Sequence, residues 1–273
     1  MRDFVKRYPA LSLGALAMAI GGILVAPVLA GIAPVALTQL GALSASIAGF
    51  VLAGVEGGRP TVRELLRRVL IWRVGLVWWL FALLFPIIPA AVALALAPRF
   101  GATVDWSNLA PLYTVVPTLL LLIVFAGLGE EFGWRGFAVP RLQHRHRPLV
   151  ASLIIGAIHA AWHIPLFFVK GEAYHDLVLR FGFLPPFLGY AVLVLALSVQ
   201  LVWLFNRTKG SVLLAAVYHG AGNAWNGYLD ISRGQMTGLY LYLGLMVVTS
   251  AVIVIASAST MLRPASEPAT ASV

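Results

Sequence analysis

Eight apolar runs, each about as long as a bilayer is thick, decide what this chain can become. They cover residues 11–32, 34–55, 74–97, 110–129, 149–168, 185–205, 211–228 and 238–258 of the 273. About 20 apolar residues cross the hydrocarbon core as a helix. Helix is the state lipid permits here, because no water satisfies an unpaired backbone group and strand-type alternation is absent. The runs also explain a composition no water-soluble domain carries: 60% hydrophobic and 11% charged, against about 25% charged in soluble domains. The expected fold is an all-α integral membrane protein with about eight transmembrane helices. Its polytopic domain covers 1–262, and 263–273, rich in Ala, Ser, Pro and Thr, reads as a disordered tail.

Proline and charge order these runs. Pro34, Pro98, Pro111, Pro148 and Pro185 sit near run boundaries, whereas Pro86, Pro89 and Pro165 fall inside runs and predict kinks or early ends. With the N-terminus in the cytoplasm, fifteen of the 19 Lys and Arg lie on the cytoplasmic side, Arg135 among them. Arg99, Lys170, Arg180 and Arg233 lie on the other. That skew follows the positive-inside rule and places both termini in the cytoplasm. The first run, behind the basic stretch Met1–Arg7, has an apolar core longer than the ~7–15 residues of a signal peptide and reads as a span. Residues 59–73 read either as an interfacial amphipathic helix, with Thr61 and Glu64 spaced as a capping box, or as a plain basic loop. The net charge of +9 does not indicate nucleic acid, since the bases lie between apolar runs rather than on one exposed face. Without cysteine there is no disulfide, thiolate metal site or Cys nucleophile.

Against this background three polar clusters stand out, because ionisable residues inside a membrane are costly and by default mark function. Gly129-Glu130-Glu131-Phe132-Gly133-Trp134-Arg135-Gly136 continues the fourth run, His159-Ala160-Ala161-Trp162-His163-Ile164-Pro165 lies in the fifth, and His219-Gly220-Ala221-Gly222-Asn223 in the seventh. Glu131 and Arg135 are four apart and share a helix face as a possible ion pair, as do His159 with His163 and His219 with Asn223. Glu130 points about 100° from Glu131 and needs another partner. At ~1.5 Å per residue, Glu130 lies roughly 16 Å from Arg141, His219 roughly 15 Å from Lys209, and His163 roughly 24 Å from Arg147. A carboxylate, imidazoles and an amide, without a Ser-His-Asp order, suit water activation and oxyanion binding. The histidines could instead bind Zn²⁺, although no His-Glu-x-x-His helix is present.

In these residues the sequence resembles the CAAX prenyl protease and bacteriocin-processing (CPBP, or Abi) intramembrane metalloproteases, which include the type II CAAX prenyl endopeptidases. The family pattern Glu-Glu-x-x-x-Arg, then an aromatic-x-x-x-His, then His-x-x-x-Asn reads here as Glu130-Glu131-x-x-x-Arg135, His159-x-x-x-His163 and His219-x-x-x-Asn223, over about residues 112–228. The resemblance implies an intramembrane catalytic cavity and peptide-bond hydrolysis in membrane-associated substrates, prenylated or not. Glu130 and His163 would activate water, and His219 and Asn223 would hold the oxyanion, with Glu131, Arg135 and His159 in support. Zn²⁺ on Glu130, His163 and His219 and a metal-free Glu/His mechanism both stay open. His159 replaces the usual aromatic and either packs or adds a ligand or proton carrier. The site is expected to open toward the cytoplasm, in the cytoplasmic membrane of a prokaryote. Partners are then the lipid bilayer and a peptide or protein substrate, with no nucleic acid; no oligomeric state is legible. Rival readings are a non-catalytic immunity or scaffold protein of the same fold, and a proton-coupled transporter, against which the lack of internal repeats counts.

Overall fold

The computed structural model describes residues 2–107 and 109–262, so the tail expected at 263–273 lies outside the described residues. Each apolar run becomes helix, and the described residues contain no strand. A short helix α1 (Arg2–Arg7) precedes α2 (Pro9–Leu29) and α3 (Thr38–Arg67). Next come α4 (Leu76–Leu84) and α5 (Ile87–Leu96), followed by a long helical stretch, α6 (Leu112–Gln143). Then follow α7 (Pro148–Trp162), α8 (Ala173–Phe181), α9 (Leu184–Arg207), α10 (Val212–Leu229) and α11 (Gln235–Ala256). Among the described residues six helices are long and apolar enough to cross a membrane, and a seventh span results if α4 and α5 count as one. The expected count of eight is thus approximate. The remaining run is helical as α10, and its interior His219, Asn223 and Asn226 dilute its apolar character.

The prolines act as their ring chemistry requires. Pro86 stands at the N-terminal boundary of α5, and the axis bends by 41° between α4 and the helix that follows. Pro165 follows the end of α7, after which the chain tightens into a 3-10 turn, Ile164–Phe168. Gly58, at φ 66°, breaks α3 near its C-terminal end, and helix resumes through the basic segment to Arg67. The capping box expected there is not what Glu64 builds: its carboxylate turns forward and accepts from Arg68 Nη2 at 2.9 Å.

Large apolar side chains point outward, as a lipid solvent demands. Ile23, Leu76 and Val248 are 75%, 71% and 57% exposed. The interior is built instead from small residues and polar pairs, the usual means of joining helices without a hydrophobic drive. Gly133 of α6 crosses α3 so closely that a Cβ there would lie 2.2 Å from the Ala45 carbonyl oxygen. Ser46 Oγ donates to the Leu128 carbonyl at 2.7 Å beside that crossing. On the far side of the bundle, Gln200 of α9 donates to Ser250 of α11 at 3.0 Å and accepts from Tyr218 of α10.

The bundle has two chemically distinct ends. At one, Arg145 donates to the Arg7 carbonyl at 2.8 Å, Arg141 pairs with Glu56, and Ser211 donates to the Ile71 carbonyl at 2.7 Å. At the other, Thr38 donates to Glu172 at 2.9 Å, Tyr228 to the Ala110 carbonyl at 2.9 Å, and Arg233 to the Asp105 carbonyl at 2.9 Å. Short hydrogen bonds from Ser107 hold the Asp105 carboxyl below its usual range. Arg135, counted with the cytoplasmic bases on sequence, belongs to neither end: it is wholly buried.

Candidate active site

Glu130 and Glu131 occupy a single α turn, Gly129–Glu131, between two wider π-type stretches, Ile123–Leu128 and Phe132–Ala138. Such i→i+5 winding is rare and concentrates at functional sites, where it re-aims side chains. Glycines on both sides let α6 sink between its neighbours. A Cβ on Gly127 would meet the Ala216 carbonyl of α10 at 2.5 Å, just as one on Gly133 would meet α3. Both glutamates are therefore buried where three helices meet.

Each carboxylate has its own partners. Arg135 Nη1 donates to Glu131 Oε1 at 2.8 Å, with both side chains fully buried. His219 Nδ1 lies 2.8 Å from the same oxygen. A carboxylate only accepts, so His219 carries its proton on Nδ1 and leaves Nε2 for the cavity the ring lines. Glu130 faces α7 instead, its Oε2 lying 2.8 Å from His159 Nε2. The two atoms are close but not aligned as a hydrogen bond, and neither His159 nitrogen has another partner.

His163 completes the group. It sits just beyond the last turn of α7, still in helical conformation, and its Nδ1 donates to the His159 carbonyl at 3.0 Å. A carbonyl cannot donate, so the proton is on Nδ1 and the Nε2 lone pair is free. The rings are braced by aromatics: Trp134 stacks on His159 at 5.1 Å, while Trp162 and Tyr190 meet His163 edge-on at 4.6 and 5.0 Å. The Trp162 indole is itself anchored on Ser44 of α3 at 3.1 Å. Sequence reasoning passed over Tyr190, Ser44 and Trp134's stacking role. Tyr190 and Ser44 lie in ordinary apolar runs, and only tertiary packing brings them here.

One atom each from Glu130, His159 and His163 fall within 4.8 Å of one another. These three, with His219 and Asn223, line a single cavity of about 1540 Å³. Asn223, one turn beyond His219 on α10, is exposed on its wall. Glu131 and Arg135 stand behind this wall, supporting His219. The lining continues through Tyr174, whose hydroxyl burial pushes up to about 12, to Asp176, Arg180 and Gln39. Those last three are exposed and lie at the end opposite the basic connections. The cavity thus reaches the less basic end of the bundle.

Residues 111–225 match the model of a family described as type II CAAX prenyl endopeptidase Rce1-like. Over this core the chain is similar to those endopeptidases. All seven motif residues, from Glu130 to Asn223, fall within it. A relative named CAAX prenyl protease 2, from Methanococcus maripaludis, is 28% identical over 144 residues, which are 50% of this chain and 51% of that protein. The chain therefore spans about half the length of the curated relative it matches.

The endopeptidase-like core can be tested for a metal by its own donor set. Ligands on one tetrahedral Zn²⁺ lie about 3.3 Å apart at usual Zn–N and Zn–O lengths. The 2.8 Å between Glu130 and His159, and the 4.8 Å limit on the whole group, bracket that spacing. The His163 tautomer, fixed through a backbone carbonyl, leaves Nε2 free as a ligand set requires, and His159 Nε2 has no competing hydrogen bond, although its Nδ1 has no orienting partner. Glu130, His159 and His163 fit such an ion. His219, the third ligand expected from sequence, is instead engaged through Nδ1 by Glu131.

Proposed function

We propose that this protein is a membrane endopeptidase that hydrolyses peptide bonds in membrane-associated proteins with a water activated by Glu130 and His163. The convergence of Glu130, His159 and His163 in one cavity carries this reading. A water held between the Glu130 carboxylate and His163 Nε2 gives its proton to Glu130, and its oxygen attacks the scissile carbonyl carbon. The carbonyl oxygen becomes an oxyanion, held by the Asn223 amide and by Nε2–H of a doubly protonated His219, whose Nδ1–H stays on the Glu131 carboxylate. As the oxyanion collapses, the C–N bond breaks and Glu130 returns the proton to the leaving nitrogen, yielding one carboxyl and one amino terminus. Glu131 and Arg135 keep His219 oriented. A Zn²⁺ ion bound by Glu130, His159 and His163 would lower the pKa of its water toward about 7.

The printed name of the relative suggests prenylated tails as substrates. The charge skew supports a cytoplasmic location for both termini, and the same reading puts the protein in the cytoplasmic membrane of a prokaryote. Comparative proteomics of peptide termini between wild type and Glu130→Gln tests activity and finds substrates together. Cleaved termini should fall by about 10²–10⁴-fold with the protein still in the membrane fraction, the range for loss of a general base. Unchanged termini would defeat the mechanism. An immunity or scaffolding phenotype surviving both Glu130 and His163 substitutions would replace it with a non-catalytic role.

A further inference from the structure

At the basic end of the bundle a second, smaller recess of about 170 Å³ lies between the start of α2 and the α6–α7 turn. It shares no residue with the cavity that holds Glu130. Two stretches of chain far apart in sequence build it. Arg7 and Tyr8 come with the first turn of α2, and Arg141, Arg145 and His146 come from the end of α6 and the turn after it. Tertiary bonds hold the two stretches in place. Arg145 Nη1 donates to the Arg7 carbonyl at 2.8 Å, while Arg141 is fixed by Glu56 and donates to the Phe137 carbonyl at 2.7 Å.

No carboxylate lines this recess. Of the acids at this end, Glu56 is taken by Arg141 and Glu64 by Arg68. Arg7 follows Asp3 by one helical turn, yet among the described residues neither Arg7 nor Arg145 makes an ion pair. The Arg7 guanidinium lies over the Tyr8 ring, 5.4 Å from its centre, and Arg145 keeps N–H groups beyond those it gives to backbone carbonyls. The wall also carries the start of α2, at Pro9 and Ala10, with no side chain capping it, so the positive end of that helix dipole adds to the charge. The positive-inside pattern requires basic residues at this end, but it does not require them around a hollow. A phosphate is the group that such an arrangement fits, because its oxygens accept from guanidinium forks in pairs.

The rim indicates where the phosphate comes from. Leu11, 61% exposed, and the half-buried Ile154 border the recess on α2 and α7, two helices that can cross the membrane and that both begin here. A dissolved anion gains nothing from these side chains, whereas a lipid carries its phosphate next to acyl chains. Basic pockets between spans hold anionic headgroups in this way. We propose that the recess binds the phosphate of an anionic lipid between Arg7 and Arg145, with the acyl chains along Leu11 and Ile154.

The full-length protein, purified in a neutral detergent, is titrated with short-chain phosphatidylglycerol, with phosphatidylcholine of the same chains, and with inorganic phosphate. Binding is read as a rise in the unfolding midpoint. Phosphatidylglycerol should give a saturable rise and the other two none over the same concentrations. An equal rise with phosphatidylcholine would overturn the preference for an anion, and an equal rise with inorganic phosphate would overturn the lipid as its source. The Arg7 side chain has no hydrogen-bond partner among the described residues, so Arg7→Gln should keep the lipid-free midpoint and raise the Kd for phosphatidylglycerol about tenfold, the effect of one lost charge-assisted hydrogen bond. If Arg7→Gln lowers the lipid-free midpoint, Arg7→Lys replaces it: the charge stays, the fork is lost, and the Kd should still rise severalfold. Arg63→Gln removes an exposed charge from the same end outside the recess and should change the Kd less than about twofold, since salt screens it. An unchanged Kd in the Arg7 variants, or an equal loss in Arg63→Gln, would overturn the site in favour of a diffuse attraction.

Discussion

Glu131 Oε1 takes a hydrogen bond from Arg135 and contacts His219 Nδ1, each at 2.8 Å, in a place no water-facing atom reaches. Removing one partner of a buried pair leaves an uncompensated charge, which costs about 3–5 kcal/mol. Arg135→Ala should therefore lower the unfolding midpoint in detergent by that order and abolish cleavage, because His219 loses its fixed acceptor. The glutamate next to it obeys a different logic. Glu130 meets His159, whose ring also stacks on Trp134, so packing and, with a metal bound, ligation would coincide in one residue. His159→Phe keeps the stack and deletes the nitrogen. Cleavage and bound zinc, read by elemental analysis of purified protein, should each fall by at least the about 10–100-fold that losing even an outer partner of a metal site costs. Loss of cleavage without any zinc in the wild type would instead make His159 a positioning group for Glu130.

At the scale of helices, the close crossings of α6 do the positioning. Gly133 has backbone of Ala45 where a Cβ would go, at 2.2 Å to oxygen and 2.6 Å to carbon, and neither can move without shifting α3. Gly133→Ala should destabilise by at least the ~1–3 kcal/mol of an overpacked core and displace Glu130 from α7. Gly244→Ala, on α11 with nothing within 4 Å, should be neutral or gain up to about 1 kcal/mol of helix propensity. Detergent unfolding of both variants compares them directly. The i, i+4 reading of Glu131 and Arg135 agrees with the observed pair even though the helix is π-wound around it. The winding itself has no sequence signature here, because it follows from how α6 fits between α3 and α10.

For the molecule as a whole, the bilayer is the solvent, and exposure means contact with lipid. Val248, 57% exposed near the middle of α11, would tolerate a charge in a soluble protein. In this one Val248→Asp should cost about 2.5–3.5 kcal/mol, the penalty for a charge at the centre of a span. The amount of chain in the membrane fraction should drop accordingly. A level equal to wild type would mean that this face of α11 does not meet hydrocarbon. The same whole-molecule view separates a basic end from a less basic one that the cavity reaches, a distinction no single motif carries.

The sequence alone determined the class of fold, since a chain 60% hydrophobic with spans of bilayer length has no other stable arrangement in lipid. It also singled out Glu130, Glu131, Arg135, His159, His163, His219 and Asn223, because polar groups are conspicuous where they are costly. Tertiary structure decided which of them meet. His219 and Glu131 are 88 residues apart, and Glu130 reaches His159 through packing of α6 against its neighbours, so local spacing could not pair them. The direction of the cavity was also beyond local reading. Periodicity and charge describe each helix in turn, whereas an opening is a property of the space left between several.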